Sequence, residues 1–115
     1  MSKAEELEIQ VEEMSDGVII RPIGDVDLGC AATLRQRLKD VQNDNPDRLV
    51  IDLSAVPYMD SSGVATLVEA MQNARRIDTK LILCALQDKV RSIFEISRLD
   101  IVFTIVATVE DAKAF

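Results

Sequence analysis

Leu7, Ile9 and Val11 alternate with Glu8, Gln10 and Glu12, a period of two that predicts a strand with one wet face. Asp16-Gly17 reads as a turn, and the run from Val18 to Ile23, rich in β-branched residues, as a second strand. Pro22 lies inside that run and places it at a sheet edge or marks a strand end, because proline has no N–H to give to a ladder. The two strands therefore predict a hairpin. After Gly24-Asp25-Val26-Asp27 the period changes: Ala31, Leu34, Leu38 and Val41 recur at helical spacing, with Arg35, Gln36, Arg37 and Lys39 between them, up to a stop near Asn43 to Pro46.

Arg48 to Leu53 is almost continuously apolar, as expected for a central strand covered on both faces, and Asp52 is the exception. A loop with Pro57 leads to Asp60-Ser61-Ser62-Gly63, after which Val64, Leu67, Val68, Met71 and Ala74 predict a second amphipathic helix. Lys80 to Ala85 reads as a buried strand. Val90, Ile93 and Phe94 define a short helix opened by Gln87-Asp88, and Ile101 to Val106 reads as a last strand. Thr108 and Asp111 have the spacing of a capping arrangement for a fourth helix running to Phe115. Strands alternating with helices after a hairpin predict an α/β domain over residues 1–115 with a mixed sheet of four to five strands and about four helices, since parallel neighbours need crossovers.

Composition narrows the function classes. The longest apolar stretches, such as Leu81 to Leu86 and Ile101 to Ala107, fall well short of the roughly 20 residues a spanning helix needs. The first six residues are acidic and lack the basic start and apolar run of a secretory signal, so a cytoplasmic protein is expected. A net charge of −7 argues against phosphate backbones and anionic headgroups as partners, hence against direct nucleic-acid or membrane binding. Cys30 and Cys84 are expected to stay reduced as small buried hydrophobes.

Little catalytic chemistry is left. The chain has no histidine, which removes the usual general base and the commonest transition-metal ligand together. A nucleophile elbow wants glycine two residues before the serine, and Met59 or Asp60 stands there instead. The four glycines, Gly17, Gly24, Gly29 and Gly63, are too dispersed for a dinucleotide or nucleoside-triphosphate loop, and no cofactor is implied. Asp25, Asp27, Asp52 and Asp60 match no calcium-loop spacing and read as solvated loop carboxylates. The remaining feature is the serine pair Ser61-Ser62 at a helix start. Serine commonly caps helices there, and the same position tolerates a phosphate because unpaired N–H groups and the helix dipole favour negative charge.

Asp60-Ser61-Ser62-Gly63, preceded by Val50-Ile51-Asp52-Leu53 and Val56-Pro57-Tyr58-Met59, is similar to the phosphorylation-site segment of the anti-sigma-factor antagonists in the STAS domain family. The likeness extends to Gly24-Asp25-Val26-Asp27, to Val90-Arg91-Ser92-Ile93-Phe94 and to Ser97-Arg98-Leu99. Three places depart from the pattern: Asp78-Thr79 stands where paired glycines often precede the next strand, Arg98 replaces a frequent glycine, and Val64-Ala65 follows Gly63. The resemblance implies that Ser61 is the phosphorylated residue, with Ser62 and Gly63 opening the helix. It implies as partner an anti-sigma factor that is also a serine kinase of the GHKL ATPase type, with a serine phosphatase as a further partner and the chain a monomer or weak dimer. The unphosphorylated form would capture the kinase and free the sigma factor. The expected contact surface is Asp25, Asp27, Met59, Asp60, Ser61, Ser62, Gly63 and Val64. The alternative is a STAS scaffold subunit of a signalling or membrane-transport complex, in which Ser61 is only a cap.

Overall fold

A computed structural model describes residues 7–115. The acidic N-terminal segment considered above, residues 1–6, lies outside the described residues. In chain order the elements are β1 (Glu8–Met14), β2 (Gly17–Ile23), α1 (Ala31–Gln42), β3 (Arg48–Asp52), α2 (Ser61–Arg76), β4 (Lys80–Cys84), α3 (Asp88–Ile96), β5 (Thr104–Val106) and α4 (Val109–Ala114). They form one five-stranded sheet in the order β1-β2-β3-β4-β5. The β1–β2 pair is an antiparallel hairpin, and every later neighbour is parallel, reached through a helical crossover.

Period-two patterning puts alternate residues on opposite faces, and the two faces are covered unequally. On one, Ile20, Leu49, Ile51, Leu81 and Leu83 pack against Leu34 and Leu38 of α1, Leu67 and Met71 of α2, and Val90 and Phe94 of α3. On the other, Ile19, Val50, Ile82 and Cys84 lie beneath Ala112 of the short α4. β3 and β4 are buried from both sides, which is why their sequences are nearly continuously apolar. Cys30 and Cys84 are buried in these two separate clusters, so no disulfide joins them. Burial, reinforced by the carboxylates of Asp52 and Glu110, pushes the Cys84 thiol up to about 12. At the end of the sheet order, β1 shows Glu8, Glu12 and Glu13 exposed.

Three expectations are refined. Pro22 marks a strand end rather than a sheet edge: β2 lies between β1 and β3, and Pro22 falls beyond Ile20↔Ile51, the last pair with β3. The last strand begins at Thr104, not Ile101, because the Leu99 carbonyl accepts from the N–H groups of both Val102 and Phe103 and turns the chain there. Ile101 is left 75% exposed, while Phe103 packs edge-on against Phe94. β4 stops at Cys84 because Ala85 takes a left-handed φ of 60°.

The glycine replacements have a conformational cost. Asp78 and Arg98 adopt φ of 62° and 63°. Each follows a helix C-cap: Asp78 N–H donates to Arg75 O and Thr79 N–H to Ala74 O after α2, while Arg98 N–H donates to Glu95 O and Leu99 N–H to Phe94 O after α3. These are Schellman closures, whose left-handed residue is most often glycine. Aspartate tolerates that region better than arginine does. A left-handed residue costs about 1–2 kcal/mol, and the unfolded-state freedom of glycine offsets about 0.5–1 kcal/mol of the relief. Arg98→Gly is therefore expected to stabilise by about 0.5–1 kcal/mol in urea unfolding; a loss of stability would mean that contacts of the Arg98 side chain outweigh its backbone strain.

Candidate functional site

Two loops at the carboxyl ends of β2 and β3 are laced together. Gly24, at φ 112°, turns the chain out of β2. Gly24 N–H donates to Ala55 O (2.9 Å), Val26 N–H to Tyr58 O (3.0 Å) and Asp60 N–H to Val26 O (3.2 Å), so that Val26 and Met59 form an isolated parallel bridge. Both bridge residues are fully buried. Gly63, in the first turn of α2, sits directly on this bridge: a Cβ there would lie 2.6 Å from Met59 Cγ and 2.8 Å from Val26 O. The glycine of the Asp-Ser-Ser-Gly run is therefore a requirement of close packing.

The bridge sets Asp60 in an extended conformation, and Asp60, rather than a serine, is the N-cap of α2. Its Oδ1 accepts from Ser62 N–H (2.9 Å), Gly63 N–H (3.2 Å) and the Ser62 hydroxyl (2.6 Å), and its Oδ2 from Leu28 N–H (3.1 Å). The Ser62 hydroxyl is the largest influence and, with the Gly63, Ser62 and Leu28 N–H groups, holds the Asp60 carboxyl below the usual aspartate range against the opposing effect of burial, which is second in size. A depressed carboxyl stabilises the fold above its unfolded-state pKa, and that stability is lost as pH falls through the depressed value. The stability gap between the wild-type chain and Asp60→Asn is thus expected to be full near neutrality and to close in acid below the ordinary value of 3.8. Urea unfolding along a pH series measures it, and a gap that stays constant into strong acid would contradict this assignment.

The two serines are made unequal. Ser62 is partly buried with its hydroxyl committed to Asp60. Ser61, the first residue of α2, is exposed, and its hydroxyl bonds to no other described residue. Beside it lies a shallow depression of about 360 Å³ lined by Tyr58, Ser61, Val64, Ile93 and Ser97. Tyr58 is 47% exposed, and Leu28, whose N–H is held by Asp60, is 80% exposed. Ile96, three residues beyond Ile93 on α3, is 82% exposed.

Of the residues expected to form the contact surface, the structure gathers Asp60, Ser61, Ser62 and Val64 at the mouth of α2, with Asp27 on the adjoining loop linked through the Leu28–Gly29 turn. Asp25 is exposed on that same loop. Met59 and Gly63 are buried beneath that surface, Met59 by the bridge and Gly63 by its contact with it, and Met59 forms part of the wall of the depression beside Ser61. The four aspartates do not converge. Asp27 accepts from Gly29 N–H and Asp60 from the groups above, while Asp52 faces away, accepting from Ser54 N–H at 3.0 Å with Arg21 3.6 Å off. Leu28, Tyr58, Ile93, Ile96 and Ser97 were missed. An apolar residue in a polar loop, as at Leu28, and one out of phase with a helix's buried stripe, as at Ile96, are the sequence signals that point to them.

A family model described as the STAS domain matches residues 8–112. The chain is 32% identical over 94 residues to the anti-sigma-B factor antagonist of Listeria monocytogenes, covering 81% of this chain and 82% of that one. It is 30% identical over 112 residues to the anti-sigma-F factor antagonist RsfB of Mycobacterium tuberculosis, covering 97% and 91%. A crystal structure of an anti-sigma factor antagonist from Mycobacterium paratuberculosis superposes with a TM-score of 0.87 at 27% identity, covering 94% of this chain and 92% of that one.

Proposed function

The chain belongs to the STAS domain family, and from that premise we propose that it is an anti-sigma-factor antagonist, a regulatory binding protein rather than an enzyme, switched by phosphorylation at Ser61. In its unphosphorylated form it docks the mouth of α2 onto an anti-sigma factor that is also a GHKL-type serine kinase, and so frees the sigma factor. The kinase places a phosphoryl group on Ser61, binding is lost, and a serine phosphatase restores it.

One contrast carries this reading: of the two serines that open α2, Ser61 keeps an uncommitted hydroxyl, set beside a carboxylate in the rim of the depression, while its neighbour Ser62 is tied down. Phosphate adds about −1.5 to −2 charges. At a contact seated on Tyr58, Val64 and Ile93 those charges would have to be stripped of water, and they would lie beside Asp60. Two unit charges about 4 Å apart repel by about 1 kcal/mol in water and about 4 kcal/mol at an effective dielectric near 20, so drying the contact adds about 3 kcal/mol against docking. About 1.4 kcal/mol already costs a factor of ten in affinity, so release requires no refolding. The scaffold alternative, with Ser61 as a mere cap, is disfavoured because Asp60 holds the capping role.

The test is incubation with the candidate anti-sigma factor and ATP, followed by mapping of the phosphate by mass spectrometry. Modification at Ser61 is expected; phosphate on Ser62 instead, or none on either serine, would sink the proposal.

A further inference from the structure

Away from Ser61, the outer surface of the helical layer has a charge opposite to that of the chain. α1 and α2 together carry five cations, Arg35, Arg37, Lys39, Arg75 and Arg76, against Asp40 and Glu69, a net +3 in a chain of net −7. Between the two helices runs an open groove of about 440 Å³. Arg35, Lys39 and Arg76 line it, opposed by Glu69 alone. Glu69 holds two of the cations side by side, with Arg35 Nε at 2.7 Å and Lys39 Nζ at 3.7 Å. The floor is fixed by a chain of amides: Gln42, 2% exposed, donates to Ala70 O (2.9 Å) and accepts from Asn73 (3.0 Å), which in turn accepts from Arg76. The exposed amides of Asn43 and Gln72 also line the groove.

We propose that this groove is a second docking site, for a short extended acidic segment of a partner protein. The cations match carboxylates, and the side-chain amides, each both donor and acceptor, match a peptide backbone. A small anion would use the cations and leave the amides idle. From Arg35 to Asn43, the C-cap of α1, the helical rise gives the groove about 12 Å, which fits about three to four residues of extended chain. The groove involves α2 only from Thr66 onward, so the proposal stands independently of the reading of Ser61.

A fluorescein-labelled pentapeptide of alternating glutamate and aspartate, titrated with the full chain at low ionic strength, tests it by anisotropy. Saturable binding is expected, weakening as salt rises. Lys39→Gln and Arg76→Gln should each weaken binding about two- to fivefold, while Arg91→Gln, outside the groove, should leave it nearly unchanged. Circular dichroism confirms that each variant is folded. The proposal is overturned by absence of binding, by equal binding of a lysine pentapeptide, by indifference to both groove substitutions, or by displacement with inorganic phosphate at concentrations comparable to the peptide's.

Discussion

Ser61→Asp is expected to bind the anti-sigma factor about a hundredfold more weakly than the wild-type chain, a loss of about 2.7 kcal/mol for bringing an unpaired charge to an apolar contact. Ser61→Ala should bind as the unmodified chain does and stay bound in the presence of ATP, because the acceptor oxygen is gone. Neither change should unfold the protein. The side chain is exposed, and a carboxylate in the first turn of α2 is favoured by the helix dipole. Isothermal titration calorimetry on the three proteins, with urea unfolding in parallel, separates affinity from stability. Equal affinities across the series would remove the switch and leave a constitutive binding module.

The second large effect concerns Gly63. Inside a helix, Gly→Ala ordinarily gains about 0.8–1 kcal/mol from propensity. Here the added methyl would lie 2.8 Å from the backbone oxygen of Val26 and 2.6 Å from a carbon of buried Met59. The decisive neighbour is backbone: a carbonyl that accepts from Asp60 N–H cannot swing aside without breaking the bridge. Overpacking of this kind costs about 1–3 kcal/mol, so Gly63→Ala is expected to destabilise by about 1–2 kcal/mol despite the propensity gain. Because the start of α2 would be pushed off the bridge, affinity for the anti-sigma factor should fall as well. A stabilised variant with unchanged binding would show that the two loops yield more easily than their hydrogen bonds suggest.

Much of the fold was legible because its signals are local. The alternation through Leu7 to Glu12, the stripe Ala31, Leu34, Leu38 and Val41, and the apolar run at Leu49 to Ile51 each determine an element without reference to the rest of the chain. The site was less legible because its decisive feature is nonlocal. Asp60, Ser61 and Ser62 are all good capping residues by type, and which of them caps depends on the extended backbone that the Val26↔Met59 bridge, between residues 33 positions apart, imposes on Asp60. The same bridge buries Met59, an apolar residue expected to contribute to the contact beside Ser61. Ile101 to Val106 shows the converse failure: its composition suits a strand throughout, but the closure of α3 and the packing of Phe103 on Phe94 take up its first half. The positions of Asp78 and Arg98 were marked only by the family likeness, since arginine does not signal a left-handed backbone and aspartate favours it only weakly.

The glutamates along β1 bear on how the sheet avoids growing from one molecule to the next. A seven-residue strand at the margin of a sheet can template the addition of a like strand from another molecule, the first step toward fibrils. Glu8, Glu12 and Glu13 place three carboxylates along that margin with no cation among the strand's residues, so any copy approaching in register meets its own charge. Among the described residues, the margin thus discourages polymerisation by charge, and its ladder is left unextended.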